Sequence, residues 1–228
     1  YLMKSLWSDE PTVHVAVVES EQAGALWNGV ETGNARLSEN WNRTEGDTVT
    51  VITFTNADEV ELRLNGKSLG RRQNPQDAKL RDQIVWEKVP YRAGRLEAVG
   101  YKDGQVTARH TLETTGKAVR LTVTPDNSQW KADGEDLQHL RIVAVDSKGR
   151  RVAQAEDELK FEVTGDARIV AVTNGDINSD ELNTTDHRRL WNGTAMVILR
   201  AGTTPSDVTL KTTSDGFKTV TTKLKVKK

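Results

Sequence analysis

Val60-Glu61-Leu62-Arg63-Leu64-Asn65-Gly66 is the stretch that decides the fold. Val60, Leu62 and Leu64 alternate with Glu61 and Arg63, the period of a strand with one buried face. Asn65-Gly66 readily supplies the positive φ of a tight hairpin. Outward from this hairpin the same period recurs. Val13, Val15 and Val17 alternate with His14, Ala16 and Val18, and Val49, Val51 and Phe54 stand in the Thr-rich run Thr48–Thr55. Further runs lie at 83–89, 95–101 and 105–112, the last two separated by the turn Lys102-Asp103-Gly104.

A second series begins after the polar stretch Thr114-Thr115-Gly116-Lys117, where the domain boundary is placed. Its strands are expected at 119–124, 137–146, 158–164, 167–172, 195–200, 208–213 and 218–226. Turns are expected at Ser147-Lys148-Gly149, Gly165-Asp166 and Ser214-Asp215-Gly216. Seven short strands in about 110 residues is the count of an immunoglobulin-like sandwich. The expected fold is all-β, two consecutive immunoglobulin-like β-sandwiches at 11–115 and 118–228. Two long polar stretches, 20–45 and 173–192, do not read as ordinary strands, and loops of that length tend to be functional or to pack against something else. Leu2, Met3, Leu6 and Trp7 stand at helical spacing ahead of Asp9-Glu10-Pro11, like the last turns of a helix whose beginning lies off the chain.

Composition narrows the function classes. Lys plus Arg number 32 against 33 for Asp plus Glu, a formal charge of −1, so no long-range field draws in nucleic acid or an anionic membrane. No stretch approaches the roughly 20 apolar residues that span a bilayer, so no membrane insertion is expected. With no cysteine, disulfides, thiolate nucleophiles and cysteine zinc sites are excluded. The four histidines, His14, His110, His139 and His187, are widely spaced, and a His-rich metal site would need long-range convergence that sequence cannot show.

Asp176, Asn178 and Asp180 place oxygen ligands at alternate positions, the first half of a calcium loop. The second half is missing, since Glu181 stands where the loop needs glycine and His187 where it needs the bidentate glutamate. Against the metal reading stands a loop whose Asn and Asp residues cap turns. Trp27 and Trp41 in the first polar stretch, with Asn174 and Asp176 in the second, are candidate carbohydrate contacts. An exposed indole stacks on a pyranose while amides and carboxylates bind hydroxyls; the competing reading for any of these indoles is core packing. Trp86 reads as core, and Trp191 as packing beneath its loop. There is no glycine-rich phosphate loop, no Gly-x-Ser-x-Gly elbow and no His-Glu-x-x-His helix, so no catalytic residue and no cofactor is assigned.

Specific residues then add what periodicity does not. The run Tyr1-Leu2-Met3-Lys4-Ser5-Leu6-Trp7-Ser8-Asp9-Glu10-Pro11-Thr12-Val13-His14 resembles the junction after the catalytic barrel in β-galactosidases of glycoside hydrolase family 2, of the kind found in gut Bacteroides. Thr55-Asn56-Ala57-Asp58-Glu59-Val60-Glu61-Leu62, Leu64-Asn65-Gly66-Lys67-Ser68-Leu69-Gly70, Val89-Pro90-Tyr91 and Leu96-Glu97-Ala98-Val99-Gly100-Tyr101 resemble the sandwich that follows. Lys131-Ala132-Asp133-Gly134-Glu135-Asp136-Leu137, Val172-Thr173-Asn174-Gly175-Asp176 and Arg189-Leu190-Trp191-Asn192-Gly193 are similar to the final domain of those enzymes.

The resemblance runs the whole chain in order. It implies the C-terminal, non-catalytic region of a galactoside-hydrolysing enzyme whose acid/base and nucleophile glutamates lie on an upstream (β/α)8 barrel. No catalytic residue is therefore carried onto this chain, and the piece alone is expected to be inactive. Residues 1–10 would be the tail of the last barrel helix, with Leu2, Leu6 and Trp7 packing on the barrel. The implied partner is that upstream barrel of the same polypeptide. The alternative role is a carbohydrate-binding module whose partner is a glycan, and a third is an adhesive stalk of tandem sandwiches. Relatives place the expected compartment in the periplasm or at the cell surface of a Gram-negative bacterium.

Overall fold

The computed structural model describes the chain apart from residues 21–25, 28–29, 32–35 and 78–80, and apart from the side chains of Ser20, Leu26, Trp27, Val30 and Glu31. Two units divide it, Tyr1–Thr114 and Thr115–Lys228, each with its own core. The first unit opens with a short helix α1 (Leu2–Trp7). Strands follow as β1 (Val13–Ser20), β2 (Leu26–Trp27), β3 (Val30–Glu31), β4 (Arg36–Ser38), β5 (Thr48–Thr55), β6 (Glu59–Leu64), β7 (Lys67–Gln73), β8 (Gln83–Pro90), β9 (Arg95–Lys102) and β10 (Gln105–Glu113). They pair antiparallel as β4-β1-β5-β8 and β10-β9-β6-β7, with β2 and β3 forming a ribbon of their own. Val13, Val15 and Val17 of one sheet share a core cluster with Val60, Leu62 and Leu64 of the other, so the two sheets close as a sandwich.

The hairpin that anchors the reading forms as its residues dictate. Leu64 pairs with Lys67 across Asn65 (φ 50) and Gly66 (φ 83), the two positive φ angles that match the twist of the flanking strands. Asn65 then does more than turn the chain. Its Oδ1 accepts the Arg95 N–H at 2.7 Å and its Nδ2 donates to the Ala93 carbonyl at 3.0 Å, so the β6–β7 turn is tied to the start of β9. The β9–β10 turn repeats the pattern with Asp103 (φ 50) and Gly104 (φ 75).

One expectation for this unit is corrected, and the barrel-packing residues of α1 can be placed. The stretch 20–45 holds β2, β3 and β4, because short edge strands carry no apolar alternation by which to be seen. In α1 the side chain turned into the unit is Ser5, whose hydroxyl donates to the Leu2 carbonyl at 2.8 Å, while Trp7 is 78% exposed. The helix exit is held by Asn56, whose Nδ2 donates to the Ser8 and Glu10 carbonyls and whose Oδ1 accepts the Thr12 N–H.

In the second unit β11 (Arg120–Pro125), β12 (Leu137–Val145), β13 (Glu158–Thr164), β14 (Ala167–Thr173), β15 (His187–Arg189), β16 (Thr194–Ala201), β17 (Ser206–Ser214) and β18 (Phe217–Val226) form the sheets β11-β12-β16-β14 and β15-β13-β17-β18. Leu140, Ile142, Val197 and Leu199 from one sheet pack with Leu159, Phe161, Val208 and Leu210 from the other. The unit has eight strands where seven were expected. The addition, β15, is a polar three-residue strand with no hydrophobic signal. β12 ends at Val145 because Asp146 turns inward to accept the Gly116, Lys148 and Arg150 amides and the Arg150 guanidinium. That guanidinium first, and the amides after it, hold the Asp146 carboxyl well below the ordinary range.

Candidate functional site

Of the four candidate carbohydrate contacts, Trp41, Asn174 and Asp176 make contacts within their own units. Trp41 is 1% exposed, its indole N–H donating to the Arg92 carbonyl at 3.3 Å and its ring 5.3 Å from that of Tyr91. It is a core residue of the first unit, and a sugar cannot stack on a ring that neighbouring side chains already cover. The Trp27 side chain lies outside the described residues. In the second unit the loop after β14 is organised by a residue that sequence reading missed, Arg188. Only 2% exposed, Arg188 donates through Nη1 to the Glu181 carbonyl and Asn183 Oδ1, and through Nη2 to Asn174 Oδ1. Asn174 also accepts the Asp176 N–H and donates to the Arg189 carbonyl.

Of the calcium-loop candidates Asp176, Asn178 and Asp180, the first two are joined in a turn. Asp176 Oδ1 accepts the Asn178 N–H at 3.0 Å, an Asx turn, and Asp180 is exposed. The loop thus brings Asn174 and Asp176 together as turn-makers around a buried guanidinium.

The structure instead assembles a cluster that no sequence motif marks. His14 sits on the face of β1 opposite the core valines, yet is only 4% exposed. Tyr1 covers it, the rings stacked 3.4 Å apart and 5° from parallel. Glu39 Oε1 lies 3.6 Å from His14 Nε2, and the His110 ring lies 4.2 Å from that of His14. His110 arrives from β10, across from Ala98 on β9.

Its position follows from a gap in the sheet. β4 pairs with β1 only from Val17 onward, and the Val15 N–H, left without a strand partner on that side, donates to His110 Nδ1 at 3.1 Å. The one sequence clue is the row His14, Ala16, Val18: a second nearly apolar face on a strand implies that something covers it.

Burial first, then the neighbouring His110, push the His14 imidazole down to about 3. Burial lowers His110 too, against an upward pull from Glu39. Both rings are therefore neutral at pH 7, and His14 Nδ1 is buried without a hydrogen-bond partner among the described residues. Ligand-type atoms of His14, Glu39 and His110 lie within 4.8 Å of one another, the one such grouping among the described residues. The donor set nevertheless does not fit a metal. A metal-bound imidazole keeps its proton on the other nitrogen and donates from it. His110 Nδ1 accepts a hydrogen, so its proton is on Nε2 and no lone pair is left for an ion.

Fold and cluster together define a tandem β-sandwich chain whose conspicuous polar feature is a buried, neutral histidine pair. Residues 121–223 match the glycoside hydrolase family 2 C-terminal domain 5, and residues 46–108 match a domain of unknown function, DUF4982. The chain is 28% identical over 225 residues to the β-galactosidase BoGH2A of Bacteroides ovatus, covering 98% of itself and 23% of that protein. It is likewise 28% identical over 231 residues to a β-glucuronidase of Formosa agariphila, covering 99% of itself and 20% of that protein. The crystal structure of a family 2 glycosyl hydrolase from Bacteroides cellulosilyticus superimposes with a TM-score of 0.89 at 32% identity, over 100% of this chain and 30% of that one. The chain thus spans less than a quarter of the curated relatives' length. It belongs to the C-terminal region of glycoside hydrolase family 2 proteins.

Proposed function

We propose that the chain is a non-catalytic accessory region of a β-galactosidase-like family 2 glycosidase, two immunoglobulin-like sandwiches that support an upstream catalytic barrel. The observation that carries this reading is coverage: the whole of this chain aligns with a minor fraction of each relative. The helix α1 supports it. Its exit is clamped to the first sandwich by Asn56, while Tyr1, Met3 and Trp7 stay exposed, an apolar face anchored at one end and suited to a further packing surface. A galactoside is favoured as the parent's substrate by the Bacteroides ovatus relative, although a glucuronide is the substrate class named for the Formosa protein. We further propose that the parent works in the periplasm or at the surface of a Gram-negative cell, which fractionation of the native organism tests.

The decisive experiment removes residues 11–228 from the full-length enzyme. Loss of thermal stability, with no turnover of aryl galactosides by the separate 228-residue chain, is the expected result. Unchanged melting of the truncated enzyme, or turnover by the chain alone, overturns the reading. Burial of Trp41 and the hydrogen bonds that hold Asn174 and Asp176 within their own loop count against the alternative carbohydrate-binding role, for which Trp27 lies outside the described residues.

A further inference from the structure

We propose that the seam where His110 meets β1 is an acid-operated latch, closed when both histidines are neutral and opened by protonation, so that mild acid frees the start of α1 from the first sandwich.

The geometry requires a bare nitrogen at the seam. The Val15 N–H occupies the Nδ1 lone pair of His110, the same pair a second proton would take, so protonated His110 would set two donors facing each other. His14 is buried beneath Tyr1, and a proton on its Nδ1 would find no acceptor there. An imidazolium in either place is desolvated and badly partnered. Opening cures both faults, because each ring then reaches water.

The groups facing the pair decide the balance. From the segment after β4 comes Glu39, 3.6 Å from His14 Nε2, the one carboxylate that favours protonation. α1 contributes the Tyr1 ring, which carries no charge. β5 sets Phe54 opposite His14, and β9 sets Ala98 opposite His110; neither carries charge. Each histidine also opposes the protonation of the other. Burial and mutual repulsion therefore outweigh a single partly solvated carboxylate.

The sign follows. A histidine whose folded pKa lies below the unfolded 6.5 binds a proton more readily in the opened state. The latch is fully closed above about pH 6.5 and loses stability as pH falls, up to about tenfold per pH unit for each histidine, a loss that for His14 continues toward about 3. Because Tyr1 rests on His14, the segment released first is the N-terminal end of α1.

The test is hydrogen exchange of the Val15 amide by NMR in the 228-residue chain, corrected for the intrinsic rate at each pH and compared with Val17 on the same strand. Opening at Val15 is expected to rise about tenfold or more from pH 7 to pH 5 while Val17 changes less. In the double variant His14→Phe, His110→Asn, where a ring still supports Tyr1 and Asn Oδ1 replaces the bare nitrogen, the rise is expected to vanish. Equal pH dependence in variant and wild type, or Val15 protection constant between pH 7 and 5, overturns the latch. Should the double variant not fold, the imidazole proton shifts of the wild type decide. Titration of both rings near 6.5 overturns the proposal, and absence of titration above pH 5 supports it.

Discussion

Asn65 and Gly94 approach so closely that a Cβ on residue 94 would lie 2.0 Å from Asn65 Oδ1. Gly94 also has φ +131, a conformation that L side chains rarely adopt. The tie between the β6–β7 turn and β9 therefore needs both residues as they are. Gly94→Ala is expected to destabilise the first unit by about 2–3 kcal/mol through backbone strain and loss of the Asn65 hydrogen bonds. Asn65→Gly keeps the turn and loses only the ties, about 1 kcal/mol. Urea midpoints of the two variants, read at a constant m-value, check the order.

Arg188 is the residue on which the loop after β14 depends. Arg188→Met removes three hydrogen bonds from a buried guanidinium to partly buried or exposed acceptors, at an expected cost of about 1–3 kcal/mol. Arg188→Lys is expected to rescue little, because a single ammonium cannot reach partners spread across a planar fork. Limited proteolysis with mapped cleavage sites provides the check: new cuts should fall between Asn174 and His187.

A second pH limb lies below the one set by the histidines. The Arg63 guanidinium 2.7 Å away, assisted by Ser68 and by the Tyr101 hydroxyl at 2.8 Å, holds Glu61 down to about 2. A carboxylate with a folded pKa below its unfolded value contributes stability above that unfolded value and loses it as pH falls. For Glu61 the window runs from 4.5 down to about 2. Glu61→Gln is therefore expected to be less stable than wild type at pH 7, with the gap closing as pH drops through that window. Parallel denaturation curves at pH 7, 4 and 2.5 measure it.

Zinc or nickel at tenfold excess is expected to leave the melting temperature of the chain unchanged, because His110 Nδ1 is already an acceptor. A saturable upward shift abolished by His110→Asn would show that the ring turns over to take an ion. Titration calorimetry of wild type and variant gives the same answer independently.

How much could be read in advance depends on distance along the chain. The hairpins at Asn65-Gly66 and Asp103-Gly104 formed as read, because turn residues and alternating neighbours lie within a few positions and act locally. Glu158–Thr164 was legible to the residue, having clean alternation between polar neighbours. β15 was not, because His187-Arg188-Arg189 shows no apolar period and joins the sheet through backbone pairing to β13 and the partners of Arg188. For Trp41 the sequence left two readings open, a carbohydrate contact and core packing, because its polar neighbours in sequence are not its neighbours in space, where it is core.

Alternation and turn chemistry are properties of the chain itself, and they sufficed to specify an all-β protein with sheets of predictable strands. The histidine pair is of another kind. Val15 and His110 are 95 positions apart, and their bond exists because β4 stops short of Val15 and leaves one amide for β10 to satisfy. Whether a given imidazole is solvated, metal-bound or held neutral is a matter of which groups surround it. Only the closing of the sandwich brings those groups together, since burial and hydrogen-bond partnership are set by contacts that no local pattern encodes.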